Sequence, residues 1–253
     1  MVSVGNAPLR TACALVLLGA VAGAAAGAPV AAPRPILATD LIAEARTPAL
    51  EWRWRAPPEA ALEPALFARL VRERDAARAR AAAAGARDRR DPGPGRPHTL
   101  DQRWTAPFAD DRLIVLLGET YAYTGGAHGN LGHIGRLWDR RRGRMITLAD
   151  LFTDWPRAAL SVESAACAAL RAQKARRLAP NTLPADWTCP PLADAVLVPA
   201  GRMGPGTLVH AIYSPYVAGS YAEGSYDVQF EWPDAARALA RPEWRSTLFG
   251  AQR

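Results

Sequence analysis

The side chains with chemistry to offer are few. The chain holds four histidines, and two of them, His128 and His133, stand close together in a segment that also carries Glu119 and follows Asp110 and Asp111. A histidine beside a carboxylate suits general acid or base work, because imidazole titrates at about pH 6.5. The pairing on offer is His128 with Asp110, Asp111 or Glu119. No two histidines stand in His-x-x-x-His or His-x-Glu spacing, so no metal triad is expected. Ser214 and Ser220 lack the Gly-x-Ser-x-Gly elbow of a nucleophile. Gly125-Gly126 has the look of an anion nest of backbone amides, yet no phosphate-binding Gly-x-Gly-x-x-Gly accompanies it. With no catalytic constellation and no cofactor signature, these residues point to binding first and to catalysis through His128 second.

The binding residues belong to a strand that ends in an unusual turn. Leu113 to Leu117 is a nearly unbroken apolar run, after which Tyr121 and Tyr123 alternate with Ala122 as on a strand with one aromatic face. Thr124, Gly125, Gly126, His128, Gly129 and Asn130 follow, a loop whose glycines open backbone angles closed to other residues and so present His128 and Asn130 from a tight turn. A second loop, Ser214-Pro215-Tyr216 with Tyr221, is marked by Pro215 and Gly219. All six tyrosines fall in or beside these two segments, and tyrosine offers rigid area with a hydrogen-bonding tip. Core filling is the bland alternative; Tyr216 and Tyr221 are the two expected at the surface.

The ends and the cysteines bound the compartment. Arg10 precedes an uncharged run from Thr11 to Ala22 and a small-residue stretch, the layout of a secretory signal peptide over residues 1–26 with cleavage near Ala26. The run is shorter than the roughly 20 residues a spanning helix needs, so no stable membrane insertion is expected after cleavage. Cys13 precedes the apolar run rather than following it, unlike a lipoprotein cysteine. Cys167 and Cys189 remain, an even pair, and in an oxidising compartment a disulfide is the default expectation. The protein is therefore expected in the periplasm or outside the cell. The formal charge is +7, and Lys174 is the only lysine among 31 basic residues. The arginine clusters at 69–96 and 136–144 are interrupted by acids and read as solvated faces, with an acidic partner as the alternative. No nucleic-acid motif is present.

The elements needed to hold the two loops read as α+β: antiparallel hairpins and a mixed sheet packed against two main helices. Residues 27–45, rich in Ala and Pro, read as a loose, disordered leader. Leu50, Trp52 and Trp54 alternate with Glu51 and Arg53 as a strand. A helix follows from Pro64, burying Leu66, Phe67, Leu70 and Val71, and its Ala/Arg continuation through 76–84 is expected to project beyond the core. Residues 85–97 read as a loop. Thr99 to Trp104 and Arg112 to Tyr123 form a hairpin, Leu131 to Trp138 the next short strand, and Arg140 to Gly143 its turn. Thr147 with Asp150 resembles a helix-starting box. The helix over 156–178 is expected to turn Leu160, Cys167 and Leu170 inward and Arg171, Lys174, Arg176 and Arg177 largely outward. Ala195 to Val198, Thr207 to Tyr213 and Tyr226 to Trp232 read as strands, and a terminal helix spans 233–239. No βαβ alternation is seen.

Three ordered blocks carry a family resemblance. Tyr121-Ala122-Tyr123-Thr124-Gly125-Gly126-Ala127-His128, then Ile146-Thr147-Leu148-Ala149-Asp150-Leu151-Phe152, then Ser214-Pro215-Tyr216 with Tyr221-Ala222-Glu223-Gly224, resemble the paired DUF4163 and DUF3298 domains over roughly residues 45–235. The resemblance implies a DUF4163-like (PdaC-type) subdomain over 46–140 and a DUF3298-like (RsiV-type) subdomain over 141–240. Such domains form the extracellular part of RsiV-type anti-sigma factors, which bind lysozyme, and accompany the catalytic domain of PdaC-type peptidoglycan deacetylases. The implied partner is lysozyme or peptidoglycan. With no sigma-binding segment, spanning helix or deacetylase domain in view, the chain is expected to be neither an anti-sigma factor nor a complete deacetylase.

Overall fold

The computed structural model describes residues 34–89, 96–178, 183, 186–203 and 206–250. The expected signal segment, the start of the leader and residues 90–95 of the expected 85–97 loop lie outside the described residues. Contacts separate 1–35 from a compact unit, Ile36–Arg253, which is the subject below. The architecture is α+β, as the patterning implies.

A six-stranded mixed sheet runs in the order β1 (Ile42–Arg46), β2 (Leu50–Arg55), β3 (His98–Ala109), β4 (Leu113–Tyr123), β5 (Asn130–Asp139) and β6 (Arg144–Ile146). Only β2 and β3 pair in parallel. A parallel pair cannot be joined by a tight turn, and here the crossover is α1 (Pro58–Ala61) and α2 (Pro64–Asp88). One βαβ unit is therefore present where no such alternation was expected. A second, antiparallel sheet holds β7 (Val196–Met203), β8 (Gly206–Tyr213) and β9 (Tyr226–Glu231), packed with α3 (Trp155–Arg177), α4 (Asp234–Leu239) and α5 (Pro242–Phe249). The Thr147–Asp150 box is formed, both partners bonding reciprocally at the start of a 3₁₀ turn over Leu148–Leu151.

Five local expectations are corrected. β1 lies in the stretch read as a loose leader; its order comes from backbone pairing with β2 and from two small inward residues, Ala43 and Ala45, too weakly apolar to mark a strand in the sequence. The Ala/Arg part of α2 does not project. Arg74 and Arg78 lay their guanidiniums over Trp54 and Trp52 at 5.0 and 4.7 Å, and Ala77, Ala81 and Ala82 pack on the same core. The helix runs to Asp88, whose carboxylate meets His98 Nε2 at 2.8 Å, so the expected loop begins later. In α3 the buried residues Ala158, Val162, Ala166, Leu170 and Lys174 recur every fourth position. Leu160 is off that stripe and 69% exposed, while Lys174, expected outside, is 3% exposed. A further helix, α5, follows the one expected to be terminal, because Trp244 and Leu248 complete the second core.

That second core is shared by the sheets: Phe108, Leu113, Val115 and Leu137 of the first meet Val198, Val209 and Ala211 of the second. The other face of the first sheet, with Trp54, Leu100, Trp104 and Ile114, packs on α2. Cys167 of α3 is bonded to Cys189, with Cα atoms 5.7 Å apart, tying α3 to the segment that leads into β7. Among the described residues no helix is long and apolar enough to cross a membrane.

Candidate functional site

The two loops singled out by tyrosine and glycine content meet at one surface. β4 ends at Tyr123, whose hydroxyl donates to Gly126 O at 3.1 Å and so folds the loop back on its strand. Gly125 and Gly126 take φ of 104° and 86°, the region L side chains avoid. Gly129 is glycine for a different reason, since a Cβ there would stand 2.4 Å from the Tyr121 ring. Folded this way, the loop leaves Thr124 and Asn130 in solvent and turns His128 toward the second loop.

The second loop is a four-residue turn, Ser214 to Val217, closed by Val217 N–H donating to Ser214 O at 3.1 Å. Pro215 takes its second position and Tyr216 its third, with φ of 72°. That position normally carries Gly or Asn; a bulky residue there costs about 1–2 kcal/mol. Tyr216 is also 61% exposed. Its hydroxyl lies 3.3 Å from His128 Nε2, while His128 Nδ1 lies 3.0 Å from Gly129 O. A carbonyl only accepts, so Nδ1 carries a proton, and in the neutral ring Tyr216 O–H donates to Nε2. The imidazole stacks on Tyr221 at 3.9 Å and 17°, and the two tyrosine rings lie 5.6 Å apart. The rings thus form one continuous aromatic surface around His128.

A buried ionic group beneath holds Tyr221. Ser220 opens a 3₁₀ turn over Tyr221–Glu223, and Glu223 Oε1 accepts from Ser220 N–H at 2.9 Å. Glu223 Oε2 accepts from Lys174 Nζ and, at 2.5 Å, from Tyr226 O–H. Partial burial raises the Glu223 pKa, but the bonds from Lys174, Tyr226 and the Ser220 amide outweigh it and bring it down to about 2. Tyr226, buried and donating to that carboxylate, is pushed up to about 12. Neither Lys174 nor Glu223 was among the expected site residues. Two signals pointed to them: the Ser-x-x-Glu box at 220–223 and the isolation of Lys174 in an arginine-rich chain.

The carboxylates considered as partners for His128 are engaged elsewhere. Asp110 Oδ1 accepts the amides of Arg112 and Leu113, and Asp111 faces Arg141 at 3.5 Å. Both sit at the start of β4, a strand length of about 30 Å from its far end. Glu119 lies across from His133, 3.7 Å from Nε2. His133 Nδ1 is 3.0 Å from Ser214 Oγ, a link between β5 and the turn that bears Tyr216. Burial lowers the His133 pKa against the opposing pull of Glu119, so the ring is neutral at pH 7. The arginines of the 140–142 turn are paired with Glu63, Asp111 and Asp139. Among the described residues no group of three His, Cys, Asp or Glu is placed to hold a metal ion.

Fold and site define an α+β protein that displays an aromatic and histidine surface from two loops. No protein-family model and no curated protein matches the chain. Among solved structures it is similar to a DUF3298 family protein from Pseudomonas aeruginosa, at 18% identity over 57% of this chain and 63% of that one, with a TM-score of 0.39. It is also similar to a DUF3298 family member from Bacteroides fragilis, at 14% identity over 80% of this chain and 93% of that one, with a TM-score of 0.44. The chain thus spans less than two thirds of the first. Both carry the family name that the sequence blocks resemble; similarity at this level carries no argument about activity or partner.

Proposed function

We propose that the protein is an extracytoplasmic binding module, periplasmic or secreted after removal of its signal peptide, whose His128, Tyr216 and Tyr221 surface recognises a cell-wall component or a wall-degrading enzyme such as lysozyme. One observation carries the reading. Tyr216 is held at positive φ and yet is largely exposed, so its placement serves neither backbone comfort nor the core. Aromatic side chains with a polar tip, fixed by neighbours before a partner arrives, bind at low entropic cost. The family resemblance supplies the two partner classes, and the Cys167–Cys189 bond accords with an oxidising compartment.

Binding of the protein to lysozymes and to peptidoglycan fragments, measured by interferometry at two salt concentrations, tests the reading. Saturable binding that Tyr216→Ala weakens by about tenfold or more, as loss of an interface anchor does, is the expected result. Binding to neither ligand, or binding that Tyr216→Ala and His128→Ala leave intact, would overturn it.

A further inference from the structure

The opposite face of the six-stranded sheet holds a cleft. Successive strand residues point to opposite faces, so Tyr121, Glu119 and His133 lie on one side and Gln102, Trp104, Thr120 and Ile134 on the other. On this other side α2 covers β2 and part of β3 but leaves a cleft of about 450 Å³ over β4 and β5. That volume lies within the roughly 300–1,000 Å³ of small-molecule sites.

The rim and floor of the cleft ask for a ligand of one kind. Its rim is cationic: Glu73 is the one carboxylate serving both Arg69, at 3.0 Å, and Arg136, at 3.6 Å, while Arg80, also on the rim, makes no ion pair among the described residues. Its wall is closed by buried indoles, Trp54 beneath the Arg74 guanidinium and Trp104 against Gly118, so only a ring edge borders the space. Its floor holds the Gln102 side-chain oxygen, buried and without a donor. A buried acceptor of this kind calls for a partner. At Gly132 an added Cβ would meet nothing within 4 Å, so the space above the floor is open.

We infer that this cleft binds an acidic sugar: a carboxylate for Arg80 and Arg136, and hydroxyl donors for Gln102 and Glu73. A ligand with an anion but few hydroxyls leaves the Gln102 oxygen orphaned, and a neutral sugar leaves Arg80 unmatched. The site stands apart from the aromatic loops and goes beyond the partner proposed for them.

Titration of the whole protein with glucuronate, glucose and AMP, followed by tryptophan fluorescence and calorimetry, tests the assignment. Glucuronate is expected to bind saturably in the micromolar to millimolar range, glucose about tenfold more weakly, and AMP more weakly still. Arg80→Ala, a surface change, should weaken glucuronate about tenfold and steepen nothing in the unfolding curve. Gln102→Leu should abolish binding while leaving the melting temperature unchanged or higher, because the orphaned oxygen is gone. Tyr216→Ala should have no effect. The assignment fails if glucuronate does not bind at millimolar concentration, if AMP binds more tightly than glucuronate, if both cleft variants bind as the parent does, or if Gln102→Leu is destabilising.

Discussion

Acid should release the loop that carries Tyr221, and the size of the effect follows from Glu223. Its pKa falls from 4.5 to about 2 in the folded protein. At about 1.36 kcal/mol per unit, the ionised carboxylate contributes roughly 3 kcal/mol at neutral pH. The sign is that of a carboxylate with a depressed folded pKa: the contribution is complete above the unfolded value and is lost as pH falls through the folded one. About 2 kcal/mol should be gone by pH 3. In Glu223→Gln that loss is absent, but Lys174, buried and left without its counter-charge, makes the variant less stable at pH 7 by about 3 kcal/mol. Lys174→Met combined with Glu223→Gln should recover much of this. Urea unfolding of the parent and both variants at pH 7 and pH 3 measures each quantity. A parent-minus-variant difference that is the same at the two pH values would refute the depressed pKa, and with it the role of Glu223 as the charged anchor of the 220–226 segment.

Tyr216→Gly should remove the backbone strain and raise stability by about 1 kcal/mol while lowering affinity for the aromatic surface's partner; thermal melts and interferometry read the two effects separately. Reduction of Cys167–Cys189, or its replacement by two alanines, should cost about 3 kcal/mol for a closed loop of this length, measured by denaturant unfolding with and without reductant. His133, its pKa lowered by burial, gives stability that is complete above about pH 6.5 and declines as pH falls below it; His133→Gln should flatten that slope between about pH 7 and pH 5.

What the sequence displayed was local, and what it hid was contact between distant parts. Tyr226 to Glu231 alternates because one face of β9 is buried, and the Thr147–Asp150 box is a bond between near neighbours; both are visible in a short window. β1 alternates in burial, but its inward residues are only Ala43 and Ala45 while Ile42 faces out, so the sequence hides the pattern. The Ala/Arg half of α2 looks solvated until Trp52 and Trp54 lie beneath its arginines. In α3 residue type misled where spacing did not: Lys174 continues the fourfold stripe from Ala158 to Leu170, and its charge is tolerated there because Glu223, 49 residues away, neutralises it. The two site loops were recognisable singly. That Tyr216 reaches His128, 88 residues earlier, depends on how the second sheet docks on the first.

The same supports explain why the exposed aromatic surface can be held in one arrangement. A tyrosine at positive φ would by itself relax by about 1–2 kcal/mol into extended backbone. Here Pro215 fixes one side of the turn, the Val217 amide closes it, and the Ser214 hydroxyl is bonded to His133 of the first sheet. On the other side Glu223 anchors the turn that places Tyr221 under the His128 ring. Neither Tyr216 nor Tyr221 belongs to the two cores, although Glu223 also neutralises buried Lys174 and accepts from Tyr226, so its loss costs stability as well as loop position. Changes at Glu223 or His133 should therefore weaken partner binding through loop position, with kinetics unlike Tyr216→Ala: slower association as the loops sample other arrangements, where truncation of the anchor itself acts on dissociation.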